Sequence, residues 1–188
     1  MAEAQQAEPV KLFAAILLPR AITPHEDRWA QLVARLDEYW GALDFLGPDH
    51  SFDATDYYRD EMGDDLVRRI IAFEDLFPAE NIGSAKHLSN QLEAEFAHSK
   101  GTDSQRVFNL DIGYLDHAKV VLPSMKAAGQ KIYLGDGVYA DPIARFENGQ
   151  YQPFPWTFPD FRDGRYDAEL NAIRAIYLQQ LREHRASQ

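Results

Sequence analysis

The sequence predicts an α+β fold: a ferredoxin-like β-α-β-β-α-β unit with an added antiparallel hairpin region and a C-terminal helix. Three observations carry this expectation. The run Lys11 to Leu18 is apolar almost throughout and closed by Pro19, the pattern of a strand buried on both faces. Two segments with apolar residues at helical spacing follow, separated by two extended segments. A third extended segment after the second helix completes the order, which folds as two helices on one face of an antiparallel sheet.

Residues 1–9 read as a flexible tail and residues 10–185 as a single α+β domain. Thr23-Pro24-His25-Glu26 has the form of a capping box, with Thr at the N-cap, Pro at the first helical position and Glu three residues on. From there Trp29, Leu32, Val33, Leu36, Tyr39 and Trp40 make an inward apolar face. Ala42 to Phe52, punctuated by Gly47 and Pro48, is expected to be a kinked strand. The β-branched stretch Arg69 to Phe73 predicts an interior strand. Pro78 opens the second helix, with Ala85, Leu88, Leu92 and Phe96 on its inner face and an end before Gly101. Arg106 to Ile112 alternates: Phe108, Leu110 and Ile112 point one way, Val107, Asn109 and Asp111 the other.

Three strands are expected beyond this unit, at Lys119 to Leu122, Lys131 to Leu134 and Val138 to Phe146. Turns fall at Gly135-Asp136-Gly137 and at Asn148-Gly149, a strong hairpin signal. An aromatic-proline arm, Pro153 to Pro159, leads to a last helix that Asp167 would cap and whose inner face is Leu170, Ile173, Tyr177 and Leu181.

The formal charge is −11, and it is unevenly spread. Between His25 and Asp65 there are twelve acids and three arginines, whereas Lys100 to Arg145 holds six basic residues and five Asp. Such a field repels duplex nucleic acid but leaves room in the second half for a small anion. The absence of cysteine excludes thiol nucleophiles, thiolate-bound zinc and iron–sulfur clusters. The longest apolar run is too short to span a bilayer and no cleavable signal precedes it, so a cytoplasmic protein without membrane contact is expected.

Four groups of residues could carry chemistry. Lys86, Asn90 and Glu93 share one edge of the second predicted helix, where they could bind a phosphate or simply make i,i+4 contacts. Asn109 and Asp111 project from one face of a strand. There Asp111 could serve as base or metal ligand, or merely cap a turn at Gly113. Lys119 stands in an apolar run, where it would pair with a carboxylate such as Asp111 or await an anionic ligand. The plainer account, an exposed lysine guarding an edge strand, suits Lys131 better than Lys119. Lys126 and Arg106 add positive charge nearby in sequence. Finally, Glu61 and Glu74 lie near Tyr57 and Tyr58, and Glu74 is expected to pair with Arg68 or Arg69. No GxxxxGK[ST], G-x-G-x-x-G, HExxH or G-x-S-x-G string occurs, and the six histidines are scattered.

Several strings carry a resemblance. Thr55-x-Tyr57-Tyr58-x-x-Glu61-Met62-Gly63, Lys86-x-x-x-Asn90-x-x-Glu93, Asn109-Leu110-Asp111-x-Gly113-Tyr114-Leu115, Ile132-Tyr133-Leu134-Gly135-x-Gly137-Val138-Tyr139-Ala140 and Trp156-Thr157-Phe158-Pro159-Asp160-Phe161-Arg162 resemble the bacterial domain-of-unknown-function family numbered 4416. The similarity runs from about Lys11 to about Leu181. This chain departs from the family pattern at Ile112, where proline is usual, and at Phe158 and Phe161, where tyrosine is, so a phenol in that arm has no counterpart here. Some members carry a GTP-binding label, yet neither a phosphate loop nor an NKxD string is present. The resemblance implies that Lys86, Asn109, Asp111 and Lys119 share a site.

The leading expectation is a pocket for a small phosphorylated or carboxylated ligand, a nucleotide included, on the sheet face away from the first two helices. Lys86 and Lys119 would hold the anion, Asn109 would orient it, and Asp111 with Glu61 would act as base or as ligands for magnesium. Asn90, Glu93, Lys126 and Tyr114 would complete the binding set, with Asp111, Lys119 and Glu61 as the catalytic one. The rival is a noncatalytic interaction module, or a homo-oligomer, docking through the aromatic arm Phe154 to Phe161 or a free sheet face or edge.

Overall fold

The computed structural model describes residues 3–55, 57–100 and 103–187. In chain order the elements are β1 (Val10–Pro19), α1 (Asp27–Trp40), β2 (Leu43–Ser51), α2 (Arg59–Met62) and β3 (Leu66–Phe77). A 3-10 turn (Ala79–Asn81), α3 (Ile82–Glu95), β4 (His98–Lys100), β5 (Asp103–Gln105), β6 (Asn109–Leu115) and β7 (Lys119–Ser124) come next. Last are β8 (Ile132–Gly135), β9 (Val138–Glu147), β10 (Gln150–Pro153), α4 (Pro159–Arg162) and α5 (Asp167–Ala186). Eight strands form one sheet in the order β10-β9-β7-β6-β1-β3-β2, with β8 paired to β9, and β4 and β5 form a separate ribbon. Every pairing is antiparallel. The chain is thus a mixed α+β structure, and among its described residues no helix is long and apolar enough to cross a membrane.

β1 lies at the centre between β3 and β6, as its unbroken apolar sequence requires. Leu12, Ala14, Ile16 and Leu18 pack with Ile71, Phe73, Leu110 and Ile112 beneath Trp29, Leu32 and Leu36 of α1 and Ala85 and Leu92 of α3. Phe13 and Ala15 point the other way with Ile70 and Ala72, under Leu170, Ile173 and Tyr177 of α5. The second face, expected to be open for a site, is therefore covered. Burying a large apolar side chain is worth about 1.5–3 kcal/mol, so the inner stripe of α5 has no better place to go.

Both hairpin turns are of the expected kind. Asp136 and Gly137 have φ of 49° and 76°, Asn148 and Gly149 of 54° and 85°, the left-handed pair that a two-residue turn between twisted strands demands. The two expected caps do not form. Glu26, not Thr23, is the N-cap of α1, and the Glu26 N–H donates to the Thr23 carbonyl at 3.1 Å. Pro24 thus sits second in a β-turn before the helix rather than first within it, and the Thr23 hydroxyl accepts only the His25 N–H, at 3.4 Å. Asp167 is the first residue of α5, after Tyr166, and makes no capping hydrogen bond through its side chain. Its charge still favours the helix N-terminus.

Gly113 does not turn the chain. It stands inside β6, where an added Cβ would lie 2.7 Å from the Val121 carbonyl oxygen and 2.5 Å from Leu122 Cδ2. Asp111 is consequently a mid-strand residue, and a turn-capping role for it is ruled out. Asp56, Gly101 and the first two residues of the tail lie outside the described residues.

Candidate functional site

β6 pairs with β7 near its C-terminal end, through Tyr114↔Val121 and Leu115↔Val120. Further back, α3 supplies the partner: the Leu110 N–H donates to Glu93 Oε1 at 2.6 Å. Glu93 is 9% exposed. Burial pushes its carboxyl above the ordinary range, with the Leu110 N–H and the charge of Lys86 pulling it back. One turn earlier on α3, Asn90 Nδ2 donates to Met125 Sδ at 3.1 Å, beyond the end of β7. Next to Met125, the Lys126 ammonium lies 5.0 Å over the Tyr57 ring.

Strand register sets a second group on the α5 side of the sheet. His50 pairs with Arg68, Arg68 with Leu17 and Leu17 with Asn109, so one row crosses four strands. Arg68 is 4% exposed, held 3.2 Å from Asp111 and 3.3 Å from Asp160, with Phe52 and Phe161 at 4.9 and 5.6 Å from its guanidinium. Burial opposes the charge of Arg68, but Asp111 and Asp160 outweigh burial and hold its pKa above the usual value. The Tyr166 hydroxyl donates to Asp160 at 3.0 Å, and burial raises its pKa. Burial, helped by Asp111, pushes Tyr58 up to about 12. His50 Nε2 and Glu169 Oε1 meet at 2.6 Å at the end of the row.

Arg106 joins the two groups. It donates to Asn109 Oδ1 at 2.8 Å and lies 3.5 Å from Glu61 and 3.7 Å from Glu93. The other end of the Asn109 amide, Nδ2, is buried without a hydrogen-bond partner, as is Arg68 Nε. Unmet buried donors cost about 1–3 kcal/mol each, so this corner of the sheet is short of acceptors. Beside Arg106 opens a cleft of about 280 Å³ lined by Pro19, Arg28, Glu61, Met62, Gly63 and Val107. Among the described residues no three His, Asp or Glu side chains are placed to hold a metal ion.

Of the nine candidate residues, Glu61, Glu93, Asn109 and Asp111 thus gather around Arg106 and Arg68. Lys86, Asn90 and Lys126 border them on the α3 side. Lys119 and Tyr114 do not join. Tyr114 sits near the other end of β6, roughly 17 Å along the strand from Asn109, and Lys119 opens the next strand, β7. Lys119, 45% exposed, pairs with Asp116 three residues before it, and its ammonium is 6.0 Å from the Tyr114 ring. The exposed lysine is Lys119 and the sequestered one Lys131, the reverse of the expectation. Lys131 has an 8% exposed side chain and lies 3.4 Å from buried Asp141, because β8 folds back on β9 there. Glu74 is exposed and pairs with neither arginine; Arg68 takes Asp111 and Asp160, and Arg69 takes Asp49 at 2.7 Å.

Arg68, Asp160 and Tyr166 escaped the reading of the sequence as site residues. The signal for Arg68 was present, since two adjacent arginines between Val67 and Ile70 must both find carboxylates if the strand is interior. Nothing local marked Asp160 as a partner ninety-two residues away.

A family model described as Domain of unknown function (DUF4416) matches residues 8–177. The chain belongs to this family. The match takes in β1 and runs into α5, so Arg68, Arg106, Asn109, Asp111 and Asp160 all lie within the DUF4416 domain. No match was found among curated proteins or among solved structures.

Proposed function

We propose that this DUF4416 protein binds a small phosphorylated or carboxylated ligand at the open end of β6, beside Arg106, and does so from the cytoplasm. The observation that carries the reading is Asn109: its carbonyl is fixed by Arg106 while its buried amide nitrogen has no partner. Arg106 and Arg28 line the adjoining cleft as charge-assisted donors suited to phosphate or carboxylate, and a ligand oxygen held there would have to reach past Arg106 to meet Asn109 Nδ2, which does not itself line the cleft. Lys86 and Lys126 add positive charge on the α3 side. In a chain of net charge −11, five cations (Arg28, Arg68, Lys86, Arg106 and Lys126) then stand against four acids, Glu61, Glu93, Asp111 and Asp160. Glu61 is the displaceable partner, half exposed and 3.5 Å from Arg106. Asp111, held by Arg68 but 29% exposed, is available as base or, with Glu61, as a ligand for magnesium carried in on a phosphate. Lys119 and Tyr114 have no part in this version of the site.

The same reading takes the core as a ferredoxin-like unit, β1-α1-β2-β3-α3-β6. The spatial order β6-β1-β3-β2, with α1 and α3 packed on one face, supports it. The site then occupies the end of that unit which α5 leaves uncovered.

The test is a thermal-shift panel of inorganic phosphate, nucleotides and phosphosugars, with and without Mg²⁺. A ligand at a hundred times its Kd adds about 2.7 kcal/mol, several degrees in melting temperature for a chain this size. The shift should vanish in Asn109→Ala and Arg106→Ala and persist in Lys119→Ala. No shift with any anion, or one that survives Asn109→Ala, overturns the reading.

A further inference from the structure

Ile132, Tyr133 and Leu134 are 61%, 60% and 46% exposed at consecutive positions of β8. Neighbouring residues of a strand point to opposite faces, so neither face of β8 is covered. β8 is also an edge, with β9 on one side only. Natural edges of this kind are usually guarded by a lysine, a proline or a bulge, and β8 has a register shift against β9 near its end, between Tyr133 and Gly135. The adjacent lysine gives no such protection: Lys131 is drawn inward to Asp141 at 3.4 Å and to the Ser124 hydroxyl at 2.9 Å.

The aromatic arm continues the same rim. Ile132 pairs with Ala140, and two residues further along β9 the Pro142 carbonyl accepts the Trp156 indole N–H at 2.9 Å. Phe154 stacks flat on that indole, with ring centroids 4.7 Å apart. Trp156 is 45% exposed and Phe158 52%. With β8 these rings expose on the order of 600 Å², the upper end of what a monomer carries.

We infer that this rim is the contact between two copies of the chain, made by antiparallel pairing of β8 about a twofold axis near Tyr133. Such pairing sets Ile132 opposite Leu134 of the second copy, apolar against apolar, and gives each open backbone edge its partner. The rim residues Ile132, Tyr133, Leu134, Phe154, Trp156 and Phe158 carry no charge, whereas copies bearing −11 each would repel across most other approaches. Covering every exposed atom of both rims would bury about 1,200 Å², a ceiling for this contact that meets the lower limit for a stable specific dimer.

Sedimentation equilibrium of the full chain between 1 and 100 µM tests this. The wild type should approach twice the chain mass. The double variant Ile132→Lys with Leu134→Lys, which places like charges across the axis, should weaken dimerisation at least tenfold while keeping its circular dichroism spectrum. Backbone amides of 132–134 should exchange more slowly at 100 µM than at 1 µM in the wild type, and equally in the variant. Asn109→Ala should dimerise normally. A monomeric wild type at 100 µM, a double variant that dimerises as well as wild type, or a monomer that instead co-sediments with phosphatidylcholine vesicles each overturns the inference.

Discussion

Arg68 and Arg69 are neighbours on β3, yet they serve opposite faces of the sheet, and the two faces treat a buried cation differently. Arg69, 1% exposed, has one carboxylate, Asp49, and rests 4.3 Å from the Trp29 ring while donating to the Ile22 carbonyl at 3.3 Å. It ties β3 to β2 and α1. Arg68 stands between two carboxylates and beside a tyrosine, in a row that continues to His50 on one side and Asn109 on the other. A buried cation with a single acidic partner is a structural tie. Each arginine leaves one buried nitrogen unmet, Arg68 Nε and Arg69 Nη1, so what separates them is the row: Arg68 has two acids and continues toward Asn109, whose amide is also unmet.

The contrast can be broken by experiment. Arg68→Met leaves Asp111 and Asp160 facing the gap without a cation, and urea unfolding at pH 7 should show a loss of about 3–5 kcal/mol. Arg69→Met keeps an apolar stem over Trp29 and leaves only Asp49, 28% exposed and able to rehydrate, so its loss should be about 1–2 kcal/mol. Equal losses would mean that the two faces do not differ in this way. A smaller effect concerns Glu93. Because burial raises its carboxyl in the folded chain above the ordinary value of 4.5, the native state holds that proton more tightly than the unfolded chain. Wild-type stability should therefore decline as pH rises from about 4.5 through the raised folded value and level off above it. Glu93→Gln, which still offers Leu110 an acceptor, should lose that decline in unfolding measured at a series of pH values. Lys119→Ala should change stability least, by no more than about 0.5–1 kcal/mol, since its side chain is 45% exposed.

Much of the fold was legible in local pattern. The buried run of β1, the apolar faces of α1, α3 and α5 and both hairpin turns follow from spacing and turn chemistry within a few residues. The unbroken run of β1 even required that both faces of the sheet be covered, which α5 does. The site was half legible. Asn109 and Asp111 share a face because strands alternate, and Glu93 turns toward β6 from the boundary of the α3 stripe. Lys119 and Lys131 went the other way, since flanking hydrophobicity says nothing of which acid lies across a strand pair. Asp116 captured Lys119 locally, and β9 brought Asp141 to Lys131.

By itself, then, the order of amino acids settled the long strands and helices, though not the short β4, β5, β10, α2 and α4, together with the hairpin turns and which side chains share a face, because each of these depends on neighbours a few positions away. It also placed the chain in its family. Only the tertiary structure decided that Arg68 would be shared by Asp111 and Asp160 and that Arg106 would meet Glu61. Those outcomes depend on sheet register and helix docking, which bring together residues forty to a hundred positions apart and sum small packing energies over the whole domain.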